Sequence, residues 1–95
     1  MIKWNGLPII IFGSGGISKE TYHIVEQINN YNNVKAYDFL GFVQDSETKI
    51  GNEVINGYKV VSSDSNLYEY AKNFSILGVV IPIGSPKVKA IIYNK

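Results

Sequence analysis

The pattern of apolar and polar positions changes period several times along the chain, and each change marks an element. Ile9, Ile10, Ile11 and Phe12 form a continuous apolar run, with Pro8 ahead of it where no ladder N–H is required. This predicts a strand over residues 8–12, buried on both faces. The run stops at Gly13, Gly15 and Gly16. Apolar positions then recur at steps of three and four (Ile17, Thr21, Ile24, Val25, Ile28). That spacing predicts a helix from residue 16 or 17 to about residue 30, with this stripe on the core. Glu20 suits the dipole of its first turn, and Asn29, Asn30, Asn32 and Asn33 close it.

A second strand is predicted over residues 37–43, ended by the turn Gln44-Asp45-Ser46. Residues 47–57 are polar and glycine-flanked and predict an excursion with a short hairpin, closed by Asn56-Gly57. Residues 58–61 predict a third strand at a sheet edge. Ser62-Ser63-Asp64 offers caps for a short helix marked by Leu67, Tyr70, Ala71 and Phe74. Residues 78–83 read as another buried strand. Gly84, Ser85, Pro86 and Lys87 then give a second glycine turn, a cap and a helical start, with Val88, Ile91 and Ile92 as a last helical stripe. Met1 to Gly6 is a lead-in, with Trp4 on the sheet edge or exposed.

Strands alternating with helices predict an α/β fold, a small Rossmann-like three-layer domain with a mostly parallel sheet. Residues 1–95 are expected to form one such domain, with the first strand between the second strand and residues 78–83. A hydrophobic share of 45% supports a globular chain. The net charge is +1, and all nine cations are Lys. Without Arg, the usual bidentate tool for phosphate and guanine, a nucleic-acid partner is not expected. The absence of Cys rules out disulfides and thiol chemistry, and the single His23 leaves no metal site in view. No run approaches a bilayer span and the start does not read as a signal peptide, so a cytoplasmic location is expected.

The candidate chemistry lies at the first glycine junction. Strand, glycine turn and helix N-terminus together form an anion cradle, because the first helical N–H groups point into a gap that no Cβ obstructs. A plain β–α turn without a ligand is the competing reading. In such sheets ligands sit beyond the carboxyl ends of the strands. Three stretches converge there: Gly13, Ser14, Gly15 and Gly16; Gln44 and Asp45; Gly84 and Ser85. The dinucleotide pattern is incomplete, since its third glycine position falls on Ser18 and Asp38 opens its strand instead of ending it. A Walker loop is excluded by spacing. His23 reads as a helix-surface residue and the tyrosines as packing, while Lys87 and Lys89 flank the second turn as solvated or phosphate-facing cations.

Four stretches taken together carry a family likeness: Ile-Ile-Ile-Phe-Gly-Ser-Gly-Gly, Gly41-Phe-Val-Gln-Asp45, Asn56-Gly-Tyr-Lys-Val, and Val80-Ile-Pro-Ile-Gly-Ser-Pro-Lys87. Over residues 7–93 the chain resembles the N-terminal domain of bacterial PglD-type nucleotide-sugar acetyltransferases. The resemblance implies a Rossmann-like domain that binds a UDP-amino-sugar in glycan biosynthesis. It places substrate at Gly13, Ser14, Gly15, Gly16, Gln44, Asp45, Gly84 and Ser85, with no catalytic residue in this domain. Acetyl-CoA and the catalytic His are implied for a trimerising left-handed β-helix domain that is absent from these 95 residues, which alone are expected to be inactive. Where the family has a His-Gly pair and two acids, this chain has Ile17-Ser18 and Gln44-Asp45. The alternative is a stand-alone or regulatory module that binds NAD(H) or no nucleotide.

Overall fold

A computed structural model describes residues 6–13, 15–31, 35–82 and 87–92, the last of these by backbone. Its elements run β1 (Leu7–Phe12), α1 (Gly16–Tyr31), β2 (Tyr37–Gln44), a 3-10 turn (Glu47–Lys49), β3 (Glu53–Ile55), β4 (Tyr58–Ser63), α2 (Leu67–Ala71), β5 (Ile76–Ile81) and β6 (Lys87–Ile92). The sheet order is β3-β4-β2-β1-β5-β6. The four inner strands are parallel, and an antiparallel strand flanks them at each edge. The arrangement is α/β and Rossmann-like, with β1 between β2 and β5 as right-handed crossovers in a doubly wound sheet predict.

The chain lays β2 and β4 to one side of β1 and returns through α2 to place β5 on the other. Right-handed crossovers in opposite directions put the two helices on opposite faces, and the core divides accordingly. Ile9, Ile11, Phe39, Phe42 and Val80 pack against Tyr22 and Val25 of α1. Ile10, Val43, Leu77 and Val79 pack against Leu67 and Ala71 of α2. Strict alternation would set Phe39 and Phe42 on opposite faces. A register shift between Ile9 and Ile10, opposite Phe39 and Gly41, returns both rings to the α1 side. Gly41 is required at this irregularity: its φ is +150°, and a Cβ would run into the Lys59 carbonyl and lie 2.7 Å from the Val61 side chain.

The hairpin forms as expected, with Asn56 (φ 51°) and Gly57 (φ 83°) as a two-residue turn of left-handed residues. Its two strands displace the predicted edge. Residues 58–61 belong to β4, the second strand in, and β3 forms the boundary.

Two further expectations are corrected. The buried face of α1 consists of Ser18, Thr21, Tyr22 and Val25, while Ile17, Ile24 and Ile28 are exposed. The helix is rotated toward its tyrosine because Tyr22 joins an aromatic cluster, with ring centroids 5.2 Å from Phe39 and 5.4 Å from Tyr58. The predicted last helix is instead strand β6, paired antiparallel with β5 from Ile76↔Ile92 to Ile81↔Lys87. Val88, Ile91 and Ile92 fit a helical stripe, but β-branched residues suit a strand equally, and pairing covers an otherwise open edge of β5. The lead-in with Trp4 lies outside the described residues.

Candidate functional site

The carboxyl ends of the parallel strands are held together by short backbone links. Gly13 donates its N–H to the Val43 carbonyl at 2.7 Å, which ties the glycine turn to β2. Asp64 donates to the Gln44 carbonyl at 2.9 Å, which ties the end of β4 to the same strand. The turn itself depends on two residues. Gly13 has φ +84°, a left-handed conformation, and a Cβ on it would come within 2.9 Å of Ser18 Oγ. Ser18 is buried and donates its hydroxyl to the Phe12 carbonyl at 2.7 Å. It occupies the third glycine position of the dinucleotide pattern, where close packing of helix on strand demands a small residue. Its hydroxyl also satisfies the last carbonyl of β1.

Gly15 and Gly16 behave differently. Both are exposed, neither has a left-handed φ, and a Cβ on either would meet nothing within 4 Å. The first bond of α1 runs from Lys19 N to the Gly15 carbonyl at 3.1 Å, so the amides of Gly16, Ile17 and Ser18 precede it. They form the positive end of a 16-residue helix, beside open space.

Lys19, in the first turn of α1, lines a cleft of about 240 Å³ together with Gln44, Lys49, Asn52, Glu53, Val54 and Val60. The cleft lies between α1 and the excursion that follows β2. The excursion is held in shape by bonds from Gly51 N to Val60 O (2.8 Å) and from Val60 N to Asn52 O (2.9 Å). Ser46 caps the 3-10 turn by accepting from Thr48 N. Asp45 is exposed and ion-paired to Lys49 at 3.3 Å, so the acid at the end of β2 comes with its own cation. The cleft therefore has two ammonium groups, of which Lys49 is paired to Asp45, one carboxylate at Glu53, carboxamides at Gln44 and Asn52, and apolar lining from Val54 and Val60. Such a lining suits a polar ligand.

Of the residues read from sequence as substrate-binding, Gly13, Gly15, Gly16, Gln44 and Asp45 gather at this end of the sheet. Ser14, Gly84 and Ser85 lie outside the described residues. Asp38 pairs with Pro8 at the opposite end and is bridged to Lys35 at 3.2 Å, away from the cleft. His23 is exposed on α1 and stacks obliquely on Tyr22, with centroids 5.3 Å apart. Among the described residues no cluster of His, Cys, Asp or Glu could hold a metal, and no helix is long and apolar enough to cross a membrane. Sequence reasoning missed Lys19, Lys49 and Asn52, because only the fold brings the excursion beside the first turn of α1.

Neither curated proteins nor solved structures gave a significant match. The family profile described as PglD N-terminal domain matches residues 8–95, nearly the whole chain. The chain belongs to that family, the N-terminal domain of PglD-type sugar acetyltransferases.

Proposed function

We propose that this domain binds a UDP-amino-sugar as the substrate-holding part of a sugar acetyltransferase in glycan biosynthesis. The observation that carries the reading is the junction of an unobstructed glycine turn and helix N-terminus with a cleft bearing Lys19 and Lys49. A diphosphate carries negative charge on non-bridging oxygens. Backbone amides of Gly15 and Gly16 and the two ammonium groups are the donors such oxygens need. Asp45 and Gln44 accept hydrogen bonds from hydroxyls or from the base. The proposal also assigns Ser14, Gly84 and Ser85 to substrate binding. Acetyl-CoA, the catalytic base and trimer formation are assigned to another part of the full enzyme. The role of these 95 residues is to hold and orient substrate, and a cytoplasmic setting accompanies that role.

Calorimetric titration of the protein with a UDP-amino-sugar, UDP, NAD and coenzyme A tests the reading. Binding of the UDP-sugar and of UDP, without measurable binding of NAD, is expected. Asp45→Ala removes a charge-assisted hydrogen bond and should cost about 1.5–3 kcal/mol of binding, roughly tenfold to a hundredfold in affinity. Binding of NAD alone, or unchanged affinity in Asp45→Ala, overturns it.

A further inference from the structure

The carboxylate of Glu53 is at odds with the diphosphate proposed for this end of the sheet. Glu53 opens β3, is exposed, and lines the same cleft as Lys19. Lys59 stands across the hairpin from it, yet among the described residues no ion pair or hydrogen bond engages the Glu53 side chain. An ionised carboxylate only accepts, so it repels phosphate oxygens and calls for an N–H or O–H donor. Beside it is the Asn52 carboxamide, which offers both a donor and an acceptor. Backbone bonds fix Asn52 in the cleft, its carbonyl accepting from Val60 N at 2.9 Å and its N–H donating to Lys49 O at 3.1 Å. Its side chain is likewise unengaged among the described residues.

Position decides which part of a nucleotide sugar meets these groups. In an open parallel sheet a diphosphate lies at the first glycine turn and the ribose at the end of the next strand out. Here that strand is β2, which ends at Gln44 and is followed by Asp45. The cleft reaches one strand further, to Val60 of β4 and Val54 of β3, where the base of such a ligand arrives. We propose that the cleft is a pyrimidine pocket in which Glu53 and Asn52 read uracil, an inference that rests on the UDP-sugar reading above. Glu53 accepts the N3–H of the ring, Asn52 donates to O4, and Val54 and Val60 give the ring its apolar lining. Lys19, on the α1 side of the cleft, is left for the diphosphate. Cytosine carries a lone pair at N3, so the same carboxylate would face an acceptor. A sugar amine is the other N–H donor in the ligand. Held as ammonium by a carboxylate, it would have no lone pair with which to take an acetyl group.

Calorimetric titration of the wild-type protein and of Glu53→Gln with UDP and with CDP tests this, with no sugar amine present. The wild type should bind UDP at least about tenfold more tightly than CDP, since a bond to a charged group gives way to two opposed acceptors. The carboxamide of Glu53→Gln can rotate to donate to cytosine N3, so the two affinities should come within about threefold, chiefly through tighter CDP binding. Lost packing alone would weaken both nucleotides and leave their ratio unchanged. Asn52→Ala should weaken UDP binding about threefold to tenfold. Both residues are exposed, so circular dichroism of the variants should match the wild type. Equal wild-type affinities for UDP and CDP, a ratio unmoved by Glu53→Gln, or UDP affinity unmoved by Asn52→Ala overturns the uracil pocket and leaves the nucleotide-sugar reading standing. An effect of Glu53→Gln on a UDP-amino-sugar but not on UDP assigns the carboxylate to the amine and overturns it as well. Failure of UDP and of the UDP-amino-sugar to bind at all overturns both readings.

Discussion

Gly13 and Gly15 stand two residues apart and have opposite requirements. Gly13 needs its missing Cβ for the fold, since φ is +84° and Ser18 Oγ would lie 2.9 Å from a methyl group there. Gly13→Ala should lose about 1–3 kcal/mol of stability, read as a lower urea midpoint. Gly15 has neither constraint, and Gly15→Ala should unfold within about 1 kcal/mol of the wild type. Equal losses in the two variants would contradict this division. The glycine spacing in the sequence located the turn, because backbone freedom is a property of the residue type. Which glycine carries the left-handed residue was not legible, since that depends on where Ser18 sits.

At the scale of elements, α1 is the most informative part of the chain. Its buried face is anchored by Tyr22, whose hydroxyl donates to Glu26 Oε2 at 2.7 Å and accepts from Asn56 Nδ2 at 3.2 Å. The helix is thus tied to the β3–β4 hairpin. Burial raises the Tyr22 phenol above its ordinary value near 10; the Asn56 amide opposes the shift and the Glu26 carboxylate adds to it. A raised value in the folded state favours the protonated, folded form. The associated stability is therefore complete below the ordinary value and is lost as pH rises through the raised one. Melting temperature should fall across that alkaline window, and Tyr22→Phe should flatten the fall while costing about 0.5–1.5 kcal/mol at neutral pH. An unchanged alkaline profile in Tyr22→Phe would assign the loss to another group. Hydrophobic periodicity found this helix but chose Ile17, Ile24 and Ile28 for the core, because Tyr22 and Ser18 count as polar in a pattern. A ring that stacks on Phe39 and Tyr58 is apolar in place. The last element departs from its expectation for a related reason: Val88, Ile91 and Ile92 keep helical spacing while their β-branching suits a strand, and the open edge of β5 that selects a strand is a tertiary fact. The Asn56-Gly57 hairpin was legible because its turn type is set by two adjacent residues.

For the whole molecule, the order β4-β2-β1-β5 of parallel strands brings the glycine turn, the end of β2 and the excursion to one end of the sheet. That gathering was readable in outline from the strand–turn–helix pattern. The contributions of Lys19 and Lys49 were not, because they lie far apart in sequence and meet at the cleft through the parallel pairing of β2 with β4. In the proposed role, this end of the sheet holds the diphosphate of a nucleotide sugar. Amide chemical-shift perturbation by NMR, with a UDP-amino-sugar titrated into the uniformly labelled protein, tests it most directly. The largest shifts are predicted at Gly13, Gly15 to Lys19, Gln44, Asp45 and Lys49 to Asn52, with Asp38 and Asn29 at the opposite end unmoved. Shifts centred on the opposite end, around Asn29, Lys35 and Tyr58, or no shifts at all, would contradict it.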